Sequence, residues 1–155
     1  MSAPVYSSVT GAAVALVAAT AKSILGVKAN AASGVLLKEA TVSFDGVTAG
    51  AVPVLVELCY ATFATNGPGT SSTSVTPVQL GGRVLAHGVT AARAWTAEPT
   101  VLTVLTEKLI HPQAGVIEQI PLGDEPDTAF AEGFVIRCTA PAVVNVRGTL
   151  KFGRA

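Results

Sequence analysis

The two histidines are the first residues to test for chemistry, because imidazole is a common general base and metal ligand. His87 lies in the run A-H-G, and His111 lies in I-H-P at the end of an apolar segment. A metal enzyme built on adjoining strands would need His-x-His with a nearby Glu, so that about three or four ligands reach one ion. Neither histidine has the other at that spacing. We therefore expect structural or surface histidines, with no metal and no cofactor.

The two cysteines are candidate nucleophiles, but both lie in apolar runs. Cys59 is found in V-E-L-C-Y and Cys138 in V-I-R-C-T. In such surroundings a free cysteine behaves as a small buried hydrophobic residue. We predict two buried thiols, with a disulfide as the alternative. The chain also has no G-x-S-x-G motif, which would place a serine nucleophile on a sharp turn.

Carboxylates are concentrated in residues 123–132, a stretch without a basic residue that includes Asp124, Glu125 and Asp127. A glycosidase needs a pair of carboxylates that face one cleft. A Ca²⁺ site needs about six to eight oxygen ligands. The stretch has neither signature, so we predict a solvated acidic loop. No residue pattern in the chain predicts an enzyme.

Low charge is the main feature of the composition. Ten basic and ten acidic residues cancel, and charged residues make up 13% of the 155 residues, about half the usual share. Without a basic stripe, neither nucleic acid nor a membrane surface is expected as a partner. Hydrophobic residues make up 50% and aromatic residues 5%, so a monomer would expose much apolar surface. We expect a homo-oligomer, with a well-packed monomer as the alternative.

We expect neither a secretory signal nor a membrane span in the N-terminal region. No Lys or Arg precedes the apolar run at residues 11–19, and Lys22 follows it closely. The run is also too short to cross a bilayer. Residues 1–10 are mostly small and carry one aromatic side chain, Tyr6. We predict an N-terminal arm there, either flexible or docked on a neighbour.

Alternation of apolar and polar residues predicts strands along the rest of the chain. The clearest pattern covers residues 133–152, where two half-buried strands around Ala140-Pro141-Ala142 are predicted to form a closing hairpin. Residues 13–18 and 22–28 are also predicted as strands, because β-branched residues are frequent there. One Ala-rich helix is the alternative for this segment.

A central strand is predicted in the run V-L-V-E-L-C-Y-A-T-F at residues 54–63, because both of its faces are largely apolar. Glu57 is the exception, and it needs a partner or solvent at a subunit boundary. Residues 66–76 are rich in Gly, Pro, Ser and Thr and predict a loop. About eight to ten short strands with regular turn signals predict an all-β fold. We expect one antiparallel β-sandwich domain, jelly-roll-like, over residues 11–155.

Four residues are predicted as subunit or partner contacts. Tyr6 lies in the predicted arm, and Trp95 is the only Trp and lies beside a turn. Arg93 and His111 flank strand ends, where loops usually carry binding residues. Core packing is the alternative for Trp95.

Eight short motifs occur in collinear order over about 130 residues of the chain. They are T-A-K-S-I-L at 20–25, E-x-x-V-S-F-D-G at 39–46, P-V-L-V-E-L at 53–58, T-P-V-Q-L at 76–80, A-W-T-A-E-P-T at 94–100, I-H-P-Q-A-G at 110–115, P-L-G at 121–123 and T-A-P-A-x-V-N-V-R at 139–147. In this order they resemble motifs of small structural proteins encoded in the head-gene regions of tailed bacteriophages.

The resemblance implies a β-sandwich or jelly-roll subunit of the virion that is made in the bacterial host cytoplasm. Its implied role is to decorate and cement the capsid of the phage head, as a trimer bound to the major capsid protein. A tail, neck or fibre subunit is an alternative in the same class. A glycan-binding or host-surface-binding jelly roll is an alternative in another class. It predicts an exposed aromatic cluster, for which Tyr6, Tyr60 and Trp95 are available.

Overall fold

Strands make up all the regular structure in a computed structural model that describes residues 3–155. No helix is present in this part of the chain, so the predicted all-β class is confirmed. In chain order the strands are β1 (Val5–Val9), β2 (Val14–Leu16), β3 (Ala21–Ala29), β4 (Val35–Phe44), β5 (Val54–Ala61), β6 (Thr73–Val75), β7 (Val78–Gln79), β8 (Val89–Arg93), β9 (Leu102–Ile110), β10 (Gly115–Gln119), β11 (Gly133–Thr139) and β12 (Val144–Arg154).

Two antiparallel sheets pack face to face. The first sheet has the order β10-β4-β12-β1-β7, with β2 paired to β12, and the second has the order β6-β8-β3-β11-β5-β9. Within them, β1-β12-β4-β10 faces β3-β11-β5-β9, and the chain mostly changes sheet from one of these strands to the next. This winding is the jelly-roll arrangement of eight strands. The predicted jelly-roll-like sandwich is therefore confirmed.

The other strands lie mainly in an insertion, residues 62–101, between β5 and β9. Strands β6 and β8 extend the second sheet beside β3, and β7 extends the first sheet beside β1. The insertion therefore borders both sheets on the same side of the sandwich. The predicted loop at 66–76 is correct only up to residue 72, because Thr73–Val75 pair with β8.

The main core fills the space between the sheets. Phe134, Ile136 and Cys138 alternate inward along β11 and meet Leu150 and Phe152 of β12, all at most 1% exposed. A second apolar cluster lies on the outer face of the second sheet and consists of Ala61, Phe63, Ala92, Trp95 and Val135. The two clusters explain why the sequence of β5 is apolar on both faces.

The predicted hairpin over residues 133–152 is wrong, although both of its strands are present. Strand β11 pairs with β3 and β5 in the second sheet, whereas β12 pairs with β1, β2 and β4 in the first. The connection at residues 140–143 therefore crosses the sandwich instead of turning within one sheet. The two-residue period shows which side chains share a face of a strand, but it does not show which strands are its neighbours. The sequence pattern therefore could not distinguish a hairpin within one sheet from a connection between the two sheets.

The arm predicted for residues 1–10 is also corrected. Val5–Val9 form β1, which pairs with β12 and β7, and Tyr6 lies opposite Phe152. The Tyr6 ring stacks on Phe152 with centroids 5.8 Å apart, and this burial ties β1 into the sandwich. Residues 1 and 2 of the predicted arm lie outside the described residues. The helix alternative for residues 12–29 is excluded by β2 and β3.

Candidate interaction surfaces at the two ends of the sandwich

Three connections meet at one end of the sandwich and surround a cavity of about 510 Å³, which we call the hollow. They are residues 45–53 between β4 and β5, 111–114 between β9 and β10, and 140–143 between β11 and β12. Most of the lining is apolar and includes Val47, Val52, Val54, Pro112, Pro141 and Val143. Cavities of this size and polarity are typical of binding sites.

Hydrogen bonds hold the walls of the hollow. The Asp45 carboxylate accepts a bond from the Asn145 backbone N–H at 3.0 Å and another from its Nδ2 at 2.8 Å. The Gly46 N–H donates to the Pro112 carbonyl at 2.8 Å. A Cβ on Gly46 would lie 2.6 Å from Pro112 atoms, so the close approach of the two loops requires glycine. The hollow is therefore built from fixed loops.

Asp45 supplies a fixed negative charge to this site. The hydrogen bonds from Asn145 lower the pKa of its carboxyl below the usual value of 3.8. Arg147 contributes a smaller effect in the same direction. A carboxylate that accepts such bonds is stabilised in its charged form. Asp45 is thus ionised at neutral pH.

The rim of the hollow exposes large apolar side chains. Val47 is 87% exposed, Val143 is 75% exposed and Val52 is 63% exposed. Scattered exposed valines are ordinary, but three around one cavity form a continuous apolar feature. These positions were missed in the sequence because exposure of a loop valine leaves no periodic signal. Val47 and Val52 lie in the run G-V-T-A-G-A-V-P at residues 46–53, and Val143 lies in the connection between β11 and β12.

The opposite end carries an exposed, hydrogen-bonded loop, residues 80–86, which we call the Val84 loop. The Gln79 side chain crosses it: Nε2 donates to the carbonyls of Gly81 at 2.8 Å and Arg83 at 2.6 Å, and Oε1 accepts from the Leu85 N–H at 3.0 Å. The Tyr6 hydroxyl donates to the Leu85 carbonyl at 2.9 Å. Val84 is 90% exposed on this loop.

The side chains of Tyr6 and Trp95 are each 1% exposed. They are therefore buried and not available for contact with a partner. Tyr6 anchors the Val84 loop from inside the sandwich. The Trp95 indole N–H donates to the Asn66 carbonyl at 2.7 Å, and its ring stacks on Phe63. These positions favour the core-packing alternative for Trp95 and give Tyr6 a structural role.

Arg93 and His111 are half-buried in separate places. Arg93 ends β8, where it lies in register with Leu25 and Thr73. His111 lies at the hollow end, where Nδ1 accepts the Gln113 N–H at 3.1 Å, so Nε2 carries the proton toward the Ala49 carbonyl at 3.0 Å. The structure does not gather the four predicted contact residues into one patch.

Glu57 has its partner within the chain. The Arg137 Nε donates to Glu57 Oε2 at 2.7 Å, and Glu57 is 7% exposed. The pair lies on the outer face of the second sheet, where β5 and β11 are adjacent. A subunit boundary is therefore not required to explain this residue.

The prediction of two buried thiols is confirmed. Cys59 and Cys138 are free and fully buried. Burial raises the pKa of Cys59 to about 11. Burial also raises the pKa of Cys138 well above its usual range. Cys138 belongs to the core between the sheets, whereas Cys59 alternates to the other face of β5.

Among residues 3–155, no group of three or more His, Cys, Asp and Glu side chains is placed to hold a metal ion. The same residues include no helix that is long and apolar enough to cross a membrane.

Comparisons of the chain with models of known protein families, with curated proteins and with solved structures found no match.

Proposed function

We propose that the chain is a non-enzymatic structural subunit of a virion. Its proposed role is that of a capsid decoration protein, which binds the major capsid protein of a phage head as a homo-oligomer, in the form of a trimer. The observation that carries this proposal is the display of apolar side chains on fixed loops at both ends of the sandwich. Such a subunit acts by burying surface against other subunits.

Fixed loops suit this role because association costs conformational entropy whenever a loop must become ordered. At the hollow, Asp45 is bonded to Asn145, and Gly46 is bonded to Pro112. In the Val84 loop, the Gln79 side-chain amide forms hydrogen bonds with the backbone of Gly81, Arg83 and Leu85. Both surfaces are thus already shaped for contact, and little binding free energy is lost in ordering them.

Jelly rolls occur in viral capsid proteins, lectins and cupins, so the fold agrees with the proposal without deciding it. The outer face of the first sheet carries the Glu39–Lys151 ion pair, with N···O at 2.7 Å, and a Gln119 amide that donates to Glu39. On the same face, Ile117 of β10 is 64% exposed.

A glycan-binding role is less well supported, because sugar binding uses exposed aromatic rings. Tyr6 and Trp95 are buried, and the half-buried Tyr60 packs edge-on against Phe134. Tyr6, Tyr60 and Trp95 are thus used for packing within the chain, and Phe130, 61% exposed, is a single exposed ring among residues 3–155 rather than a cluster.

Fractionation of virions tests the proposed location. Purified particles of the virus that encodes the chain would be separated into heads and tails, and the chain would be quantified in each fraction by mass spectrometry. We expect it in the head fraction, at a fixed ratio to the major capsid protein. Recovery with the tail would favour the tail alternative, and absence from both fractions would contradict a virion role.

A further inference from the structure

We propose that the Val84 loop of one copy of the chain inserts into the hollow of a second copy, so that the copies associate head to tail. The proposal concerns self-association and does not depend on the virion role. It follows from the shapes, charges and positions of the two features.

The shapes are complementary. All residues of the Val84 loop are exposed, Val84 at 90%, and the hollow is an apolar cavity of about 510 Å³ rimmed by exposed valines. Insertion removes Val84 from water together with Val47 and Val143 of the second copy. Removing these apolar side chains from water stabilises the contact.

The charges are also complementary. Arg83 is exposed next to Val84 and forms no ion pair within residues 3–155. Asp45 is an ionised carboxylate in the lining of the hollow. Insertion of Val84 brings the Arg83 guanidinium toward Asp45. Opposite charges at the rim of an interface set its register and speed association.

The Val84 loop and the hollow of the same chain are too far apart to contact each other. The Val84 loop adjoins Val5, whose carbonyl accepts the Leu80 N–H at 2.8 Å, and Val5 pairs with Gly153 near the end of β12. The hollow includes Val144 at the start of β12. At about 3.4 Å per residue, Val144 and Gly153 are about 30 Å apart. A contact between two copies is therefore heterologous, which produces a closed ring or an open chain.

Cross-linking tests the contact directly. The double variant Val84→Cys/Val143→Cys would be treated with a short bismaleimide, and each single variant would serve as a control. The native thiols do not interfere because Cys59 and Cys138 are fully buried. We expect a ladder of multimers from the double variant and none from either single variant. Multimers from a single variant, or no ladder from the double variant, would overturn the head-to-tail contact.

Light scattering then tests the residues that make the contact. Wild-type chain is expected at a multiple of its monomer mass, and Val84→Asp at the monomer mass. Arg83→Glu is expected to raise the dissociation constant about tenfold, because it places like charges together. Leu122→Asp is the matched control, since Leu122 is 93% exposed in another loop, and its mass should equal that of wild type. A monomeric wild type, or an unchanged mass for Val84→Asp, would overturn the proposal. Neither result decides whether the chain binds capsids.

Discussion

The Trp95 ring lies directly on Gly26, on the outer face of the second sheet. A Cβ built on Gly26 would be 2.9 Å from Trp95 Cη2 and 3.1 Å from Val135 Cγ2. Glycine at this position therefore leaves the space in which the only Trp packs, and Trp95 in turn connects the insertion to β3. The second apolar cluster depends on this fit.

Gly26→Ala should therefore displace Trp95. We expect a loss of about 1–3 kcal/mol in the free energy of unfolding, because overpacking a close-packed site has that cost. Trp fluorescence should shift to the red as the indole becomes more exposed, and denaturant unfolding gives the stability. Gly50→Ala is the control, since a Cβ there meets nothing within 4 Å. Equal stability and emission for Gly26→Ala and wild type would show that the ring does not depend on this glycine.

Removing Arg137 should leave a buried carboxylate without its partner. Glu57 and Arg137 have side chains 10% and 23% exposed, so we expect Arg137→Met to lower the free energy of unfolding by about 3 kcal/mol. Arg137→Met/Glu57→Leu should recover most of that loss, because the unpaired charge is gone. Chemical denaturation of both variants provides the comparison.

The control for this experiment is Lys151→Met, which breaks the Glu39–Lys151 pair on the other sheet. The Lys151 side chain is 38% exposed, and exposed ion pairs contribute only about 0–1 kcal/mol. Similar losses for Arg137→Met and Lys151→Met would contradict a special role for the buried pair.

The Asp45 carboxylate should make stability depend on acid pH. Its pKa in the folded chain lies below its usual value of 3.8, so its contribution is complete above pH 3.8 and is lost as pH falls through the lower folded value. Asp45→Asn should therefore lose less stability than wild type between pH 5 and pH 2. Thermal melts across that range test this, and parallel curves for the two proteins would exclude Asp45 as a source of the dependence.

Both cysteines should resist thiol reagents in the folded chain. The thiolate is the reactive form, and burial raises the pKa of Cys59 to about 11. At pH 8 we expect no labelling by a chromogenic disulfide until denaturant unfolds the chain, and then two thiols per chain. Rapid labelling of folded protein would show that β5 or β11 opens readily.

Strands such as β3, β11 and β12 were predictable because burial imposes a two-residue period on residues such as Phe134, Ile136 and Leu150. Strands β1 and β6 were not, since their short segments carry no such period. The pairing of β11 and β12 was not predictable, since each strand satisfies its period in either sheet. Burial of Tyr6 was also missed, and burial of Trp95 was left as one of two alternatives, because a single aromatic residue next to polar residues has no period. The hollow depends on residues that are distant in sequence, such as Asp45 and Asn145, and only the fold brings them together.

The proposed function is tested most directly by binding to capsids that lack the chain. Heads assembled without its gene would be mixed with increasing amounts of purified chain and sedimented, and the bound chain would be measured against the major capsid protein. We predict saturable binding at a fixed ratio and greater resistance of the heads to heat, because a ligand that binds only the assembled shell stabilises it by mass action. Chain that stays in the supernatant at every concentration, with unchanged head stability, would contradict the proposal.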